Sequence, residues 1–454
     1  MHLKQNAGSE KINSIPDMLN YFEDNLKAEE EWKIGTEYEC IGVYRENAKA
    51  VDYSGDRGIE TILKKLSLLY NWDPVINSNH VIGLRGPDAG ISLEPGGQIE
   101  LSGKPHRNVH TAQEEYNEFI NKLLTSAEGL NISFLGLGMQ PVSTLDEIQW
   151  VPKERYRIMA PYMEKVGTLG HRMMKQTASV QVNIDYSSET DAMNKFRTAM
   201  GLVPLLSAIF ANSPISDNKL NGYMTFRGHV WANTDSQRCG LLKFAFNENV
   251  RFEDYIRYAL NVPMYFISRD ERLLDMTGLT FKEFMETGCE GHYATVDDWG
   301  LHLSTLFPEV RMKKYIEIRC FDNIPQQLVM AVPAIIKGIF YDNDCLLAAR
   351  DLVRDMSWEE RLDAYHSAHL IALDTKIRGV TFTELAKELM LIAINGLSKQ
   401  NTLNNQGENE TVYMDSLQDM IWSGRCPADF VRESWLDNRT GDLIKFIDSY
   451  SYKA

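Results

Sequence analysis

Ile91-Ser92-Leu93-Glu94-Pro95-Gly96-Gly97-Gln98-Ile99-Glu100-Leu101-Ser102-Gly103 reads as a tight β-hairpin. Pro95-Gly96-Gly97 supplies the turn, because glycine reaches positive φ without steric penalty. Apolar and polar residues alternate on either side of it. Ser92 and Glu94 therefore share one face of the first strand, and Gln98, Glu100 and Ser102 share one face of the second. Two carboxylates are presented from neighbouring strands with no Lys or Arg between them. Such carboxylates repel unless a cation or a proton sits among them, so the hairpin points to a divalent metal site.

Three further segments carry polar residues at period two. Gly35-Thr36-Glu37-Tyr38-Glu39 puts Glu37 and Glu39 on one face. Val180-Gln181-Val182-Asn183-Ile184-Asp185 sets Gln181, Asn183 and Asp185 opposite three aliphatics, and Ile316-Glu317-Ile318-Arg319 sets Glu317 beside Arg319. Each segment alone fits a sheet with one wet face. Such a face normally mixes Lys with Glu; here Glu dominates. Mg²⁺ prefers oxygen ligands, usually carboxylates with nucleotide phosphates and water. A pair or trio of Mg²⁺ ions bridging ATP phosphates would use such a set. Arg319 would suit a transferring phosphoryl group or a substrate carboxylate. Lys153, Arg155, Arg157 and Lys165 offer anion contacts, and Arg227 falls in a second basic cluster near His229 and Trp231.

The 454 residues are 44% hydrophobic and 24% charged, an ordinary globular balance; length alone suggests two or three domains. A net charge of −16 argues against nucleic acid and anionic membrane surfaces as partners. Met1-His2-Leu3-Lys4-Gln5-Asn6 lacks an apolar core, so no signal peptide is expected, and no run is long enough to span a membrane. Six scattered cysteines without a C-x-x-C pair fit a reduced, cytoplasmic protein. No P-loop, G-x-G-x-x-G or G-x-S-x-G motif occurs.

The pattern predicts an acidic helix over Pro16 to Glu31, a strand over Trp32 to Tyr44 and a helix over Gly58 to Tyr70. A long helix is expected from Val109 to Gly129, with a strand at Ile132 to Leu137. Arg155 to Gly170 reads as basic and irregular, Ala178 to Tyr186 as a strand, Asp191 to Asn212 as a helix and Tyr223 to Trp231 as a strand. From Pro325 the pattern turns helical, ending near Asp442 to Tyr450. This mixture without steady βαβ alternation indicates an α+β fold.

The segments closely resemble the plant and proteobacterial type of glutamate–cysteine ligase. The matching words are Ile-Gly-Thr-Glu-Tyr-Glu at 34–39, Ile-Ser-Leu-Glu-Pro-Gly-Gly-Gln at 91–98, Met-Glu-Lys-Val-Gly-Thr-Leu-Gly at 163–170, Val-Gln-Val-Asn at 180–183, Phe-Ala-Asn-Ser-Pro at 210–214, Asn-Val-Pro-Met-Tyr-Phe at 261–266 and His-Leu-Ser-Thr-Leu-Phe-Pro-Glu-Val-Arg at 302–311. Several such words in the family's order make a specific match.

The resemblance implies a funnel-like antiparallel β-sheet surrounded by helices, similar to the glutamine-synthetase-like carboxylate–amine ligase fold. It implies one catalytic domain over 1–454, with a helical C-terminal portion from roughly 325. By resemblance, Glu37, Glu39, Glu94, Glu100, Gln181 and Glu317 would hold two or three Mg²⁺ ions. Arg319 and Glu94 would carry the chemistry, and Asn183, Arg155, Lys165 and Arg227 would contact substrate or nucleotide. The implied reaction joins L-glutamate, activated by ATP as a γ-glutamyl phosphate, to L-cysteine, the first step of glutathione biosynthesis. Another amine acceptor is the alternative. The partners would be small molecules only, with the chain a monomer or homodimer. Tyr38 stands where the family usually has His. Cys320-Phe321 stands where it tends to have Gly-Ala, which would enlarge side chains beside the metal strand and reshape the acceptor pocket.

Overall fold

The computed structural model describes residues 10–454 apart from 271 and 439–442. Met1 to Asn6, and Asp442 at the start of the last expected helix, lie outside the described residues.

The predicted hairpin forms. Strands β4 (Gly90–Leu93) and β5 (Ile99–Ser102) pair antiparallel, with Ser92 opposite Glu100 and Leu93 opposite Ile99. The turn closes through Glu94 N–H to the Gln98 carbonyl at 2.9 Å and Gly97 N–H to the Glu94 carbonyl at 2.9 Å. Gly97 has φ +91°, and a Cβ on Gly96 would sit 2.1 Å from the Lys175 carbonyl oxygen. Both glycines are therefore dictated by the turn and its close packing.

Around this hairpin the chain builds a nine-stranded sheet among the described residues, every pairing in it antiparallel. The other strands are β1 (Ile34–Tyr44), β2 (Asp73–Asn77), β3 (His80–Arg85), β6 (Ile132–Leu135), β7 (Ser179–Ile184), β8 (Val310–Met312) and β9 (Ile316–Asp322). The spatial order is β8-β9-β7-β1-β5-β4-β3-β2, with β6 paired to the far end of β1. Alternation gives the central strands two unlike faces. Tyr38, Cys40, Ile99, Leu101, Val180, Val182, Ile184, Ile316 and Ile318 are buried in the apolar core. Glu37, Glu39, Glu100, Gln181, Asn183 and Glu317 occupy the other face.

Helices α2 (Ile59–Tyr70) and α3 (Val109–Ala127) pack beside the hairpin end of the sheet, and α6 (Glu189–Ile209) lies on β9. From Ala331 the chain is predominantly helical, as expected. Among the described residues no helix is long and apolar enough to cross a membrane. All six cysteines are free.

Three expected elements differ. The first helix, α1 (Ile15–Glu23), stops early and resumes only as a turn at Glu29–Glu31, because Asp24-Asn25-Leu26-Lys27-Ala28 offers no continuous apolar stripe. The basic stretch is helix α4 (Glu154–Val166), whose Tyr156, Met159 and Met163 are buried at helical spacing, followed by α5 (Gly170–Gln176). Tyr223 to Trp231 is not a strand. Thr225 Oγ1 accepts the Gly228 N–H and caps α7 (Phe226–Ala232), where Arg227 and Val230 turn inward.

Candidate active site

The register aligns the acidic residues in rows. Glu39 on β1 pairs directly with Glu100 on β5, and Glu100 with Ser92 on β4. One step along, Glu37 lies between Ser102 and Gln181. Farther on, Asn183 faces Glu317 and Glu317 faces Arg311. The polar face thus runs from carboxylates at the hairpin to cations at β8.

Glu39 accepts from Ser179 N–H at 2.8 Å, Ser179 Oγ at 2.9 Å and Gln181 Nε2 at 3.0 Å. Even so, burial and the negative neighbours Glu94 and Glu100 push its carboxyl up to about 8. Glu100 accepts from Ser102 Oγ at 2.7 Å and is likewise raised, by burial first and Glu94 second. Glu37 accepts from Asn183 Nδ2 at 3.1 Å and is raised by burial and by Glu317 and Glu100. Glu94 follows the first hairpin strand, in the turn at the edge of this group. These are oxygen donors that repel one another in a desolvated place, which is the chemistry a hard divalent cation relieves. As they stand, no group of three or more His, Cys, Asp or Glu side chains among the described residues converges closely enough to hold a metal by itself. The donor set fits ions that share their coordination with a bound nucleotide.

Glu317 is in a different situation. Arg311 grips it bidentately, with Nη2 to Oε1 at 2.9 Å, while Lys313 Nζ lies at 3.4 Å and Arg319 Nη1 at 3.3 Å. Burial opposes its charge, but the three cations hold the carboxyl well below its ordinary range. Its oxygens are committed to cations in this arrangement, unlike those of Glu37, Glu39 and Glu100. Arg319 reaches across to Gln181 Oε1 at 2.6 Å, bridging the cationic and acidic ends.

Four buried polar atoms have no hydrogen-bond partner within the chain and stand beside this face: Asn183 Oδ1, Arg155 Nε, Arg227 Nε and Trp231 Nε1. Unsatisfied buried donors are costly, and three of the four are N–H groups suited to an anion. Arg227 Nη2 donates to the Arg319 carbonyl at 3.0 Å, and Trp231 lies 5.5 Å from the Arg319 guanidinium and 5.7 Å from that of Arg227. Lys153 donates to the Leu93 carbonyl at 2.6 Å, just before Glu94; burial and Arg155 bring its ammonium down to about 8 against the pull of Glu94. Lys165 is not gathered in: it is exposed in the last turn of α4.

The structure also relocates Cys320 and Phe321. A bulge in β9 between Ile318 and Phe321 restarts the ladder with Phe321 opposite Val180. Phe321 packs edge-on against Phe210 at 5.3 Å, and both it and Cys320 are buried. Both side chains belong to the apolar core. Tyr38 lies in the core on the opposite face of β1, its ring tilted against that of Tyr116 at 4.8 Å. Arg311, Lys313, Ser179 and Glu309 were missed as contributors. Arg311 and Glu309 lie in the quoted 302–311 word, but nothing in their spacing marks their partners.

Fold and site together define a carboxylate–amine ligase catalytic fold. A glutamate–cysteine ligase from Francisella tularensis, crystallised in complex with AMP, superposes with TM-score 0.55 at 12% identity, covering 92% of this chain and 87% of its own; that likeness concerns the fold. The family model "Glutamate-cysteine ligase family 2" matches residues 33–448, and the chain belongs to that family. Chloroplastic glutamate–cysteine ligase B of Oryza sativa subsp. japonica is 40% identical over 416 residues, 91% of this chain and 82% of the relative. The chloroplastic enzyme of Arabidopsis thaliana is 37% identical over 422 residues, 92% and 79% of the two chains. These relatives overturn the cytoplasmic expectation: they are named as plastid proteins, and scattered free cysteines say nothing of which reducing compartment holds a chain.

Proposed function

We propose that this chain is an ATP-dependent glutamate–cysteine ligase. The observation that carries the reading is the buried, mutually repelling row Glu37, Glu39 and Glu100, joined through Gln181 to Arg319 on a fold of this family. Glu37, Glu39, Glu94, Glu100 and Gln181 would hold two or three Mg²⁺ ions, with Glu317 taking part only if Arg311 and Lys313 release an oxygen. The ions would supply neutralisation of the triphosphate charge.

The chain's own groups supply orientation and electrostatics. Arg319 faces the oxygens of the transferring phosphoryl group. Arg227 and Arg155, each with an unpartnered Nε, bind carboxylate or phosphate oxygens. The γ-carboxylate of glutamate attacks the γ-phosphorus of ATP, releasing ADP and leaving γ-glutamyl phosphate. The cysteine amine then attacks its carbonyl carbon, phosphate departs with the electron pair of the broken C–O bond, and the amine loses a proton. Phosphoryl transfer needs placement and charge neutralisation more than a protein nucleophile, which is what this face offers. A single catalytic domain accords with one sheet serving both ends of the site.

The experiment is ADP release by purified protein with Mg²⁺, ATP and L-glutamate against a panel of amino acids and amines, with mass detection of products. Selective turnover with L-cysteine to γ-glutamylcysteine is expected. Glutamate-dependent turnover with another acceptor would reassign the acceptor; silence across the panel would defeat the reading.

A further inference from the structure

The two site arginines are tied to the C-terminal helices through a single buried residue, Glu309. Tyr365, on the helix Trp358–Ile371, donates its phenol hydroxyl to Glu309 Oε1. Both residues are buried. The Glu309 carbonyl accepts the Arg319 N–H at 3.0 Å, and the Arg319 carbonyl accepts Arg227 Nη2 at 3.0 Å. The β9 bulge explains the second link. Where the ladder with β7 breaks, the carbonyls of Arg319 and Cys320 are taken by side chains, Arg227 Nη2 and Ser207 Oγ. Irregular backbone thus holds the residue that reaches toward the phosphoryl group, and its neighbours must fix its direction.

Glu309 is suited to that task. It precedes β8, and its N–H donates to the Gly240 carbonyl at 3.1 Å, so its backbone is pinned on both sides. Burial raises its carboxyl, while the Tyr365 hydroxyl, Arg227 and Arg319 favour its charged form. It forms no ion pair within 4 Å of either arginine among the described residues, so it does not consume their donors. It is a near but uncoordinated counter-charge, and its own freedom is removed by Tyr365.

We propose that the Tyr365–Glu309 hydrogen bond is a positioning device that aims Arg319 and Arg227 at the substrate oxygens. Neither residue touches substrate; each acts through the arginines. The proposal rests on the ligase reading for its kinetic consequence, though not for its structural one. Partners that orient a functional group commonly contribute about 10–100-fold to activity when removed.

The test uses Tyr365→Phe, which keeps the ring and removes the hydroxyl, with Glu309→Gln and the double variant. Wild-type turnover is measured first and judges the ligase reading alone. Tyr365→Phe is expected to lower kcat about tenfold, with KM for ATP within twofold, and to lower the thermal midpoint, because a buried acceptor loses its partner. The double variant is expected to be no slower than Glu309→Gln, because both changes break one device. A crystal structure of Tyr365→Phe should show the Arg319 guanidinium turned from Gln181. Unchanged kcat, fully multiplicative losses, or an unmoved Arg319 would overturn the proposal, the last even for a chain without turnover.

Discussion

Glu39 and Glu100 are direct register partners across the β1–β5 ladder, both buried, and neither forms an ion pair among the described residues. Every backbone hydrogen bond that holds the strands together also holds these carboxylates side by side. Burial and the carboxylates' mutual repulsion raise both groups above the ordinary carboxylate range.

Glu100→Gln separates this repulsion from the proposed cation binding. Removing one charge relieves Glu39 while the amide oxygen still accepts from Ser102. In chelator at pH 8 the variant should melt above the wild type. If Glu100 holds Mg²⁺ as proposed, the same change should lower glutamate-dependent ADP release by more than about 100-fold. Calorimetry and the coupled assay on one preparation check both; a variant that is less stable in chelator contradicts the repulsion argument.

Glu317→Gln should behave in the opposite way. Arg311, Lys313 and Arg319 would be left buried around a neutral amide, and uncompensated buried charge typically costs about 3–5 kcal/mol. Urea unfolding should show the loss at neutral pH with an unchanged m-value. Activity should also fall, since Arg319 loses its anchor.

Gly96→Ala tests the hairpin. The added methyl would meet the Lys175 carbonyl oxygen at 2.1 Å, and that oxygen belongs to backbone. The turn must move away from α5, destabilising the chain by about 1–3 kcal/mol. Glu94 moves with it, so KM for ATP should rise along with the loss of stability.

His302 should confer acid sensitivity. Its Nε2 lies 2.9 Å from the Ala259 carbonyl, so it is the donor there, and Nδ1 is buried without a partner. Burial lowers the imidazolium pKa from 6.5 to about 3. The unfolded chain binds the proton first, so stability present above about pH 6.5 is lost progressively as pH falls toward 3. His302→Gln keeps an N–H for Ala259 and should flatten the stability–pH slope between about pH 6.5 and 4.5, measured by urea titration at several pH values.

Much of the site was legible because it sits on strands whose faces alternate. Glu37, Glu39, Glu100, Gln181 and Asn183 needed only period two to be placed together. Arg155 and Arg227 were picked out by type, although their local structure was misread. Tyr223, Phe226 and Trp231 are aromatic residues that favour strands in isolation. Tertiary burial of Arg227 and Val230 selects a helix instead. Lys165 shows the converse: its charge suggested a contact, but its place on α4 leaves it in solvent.

By itself the sequence determined the hairpin, the sheet's two unlike faces and the concentration of carboxylates on one of them. Those features follow from φ preferences and side-chain alternation within a few residues. Only the tertiary structure decided that Glu317 is clasped by Arg311 and Lys313, that a bulge sends Phe321 into the core, and that Tyr365 holds Glu309 behind the arginines. Tyr365 and Glu309 are 56 positions apart. No local period links such residues. Their meeting depends on how helices and sheet close around a shared core, and a one-residue shift of register in β9 would reassign every partner.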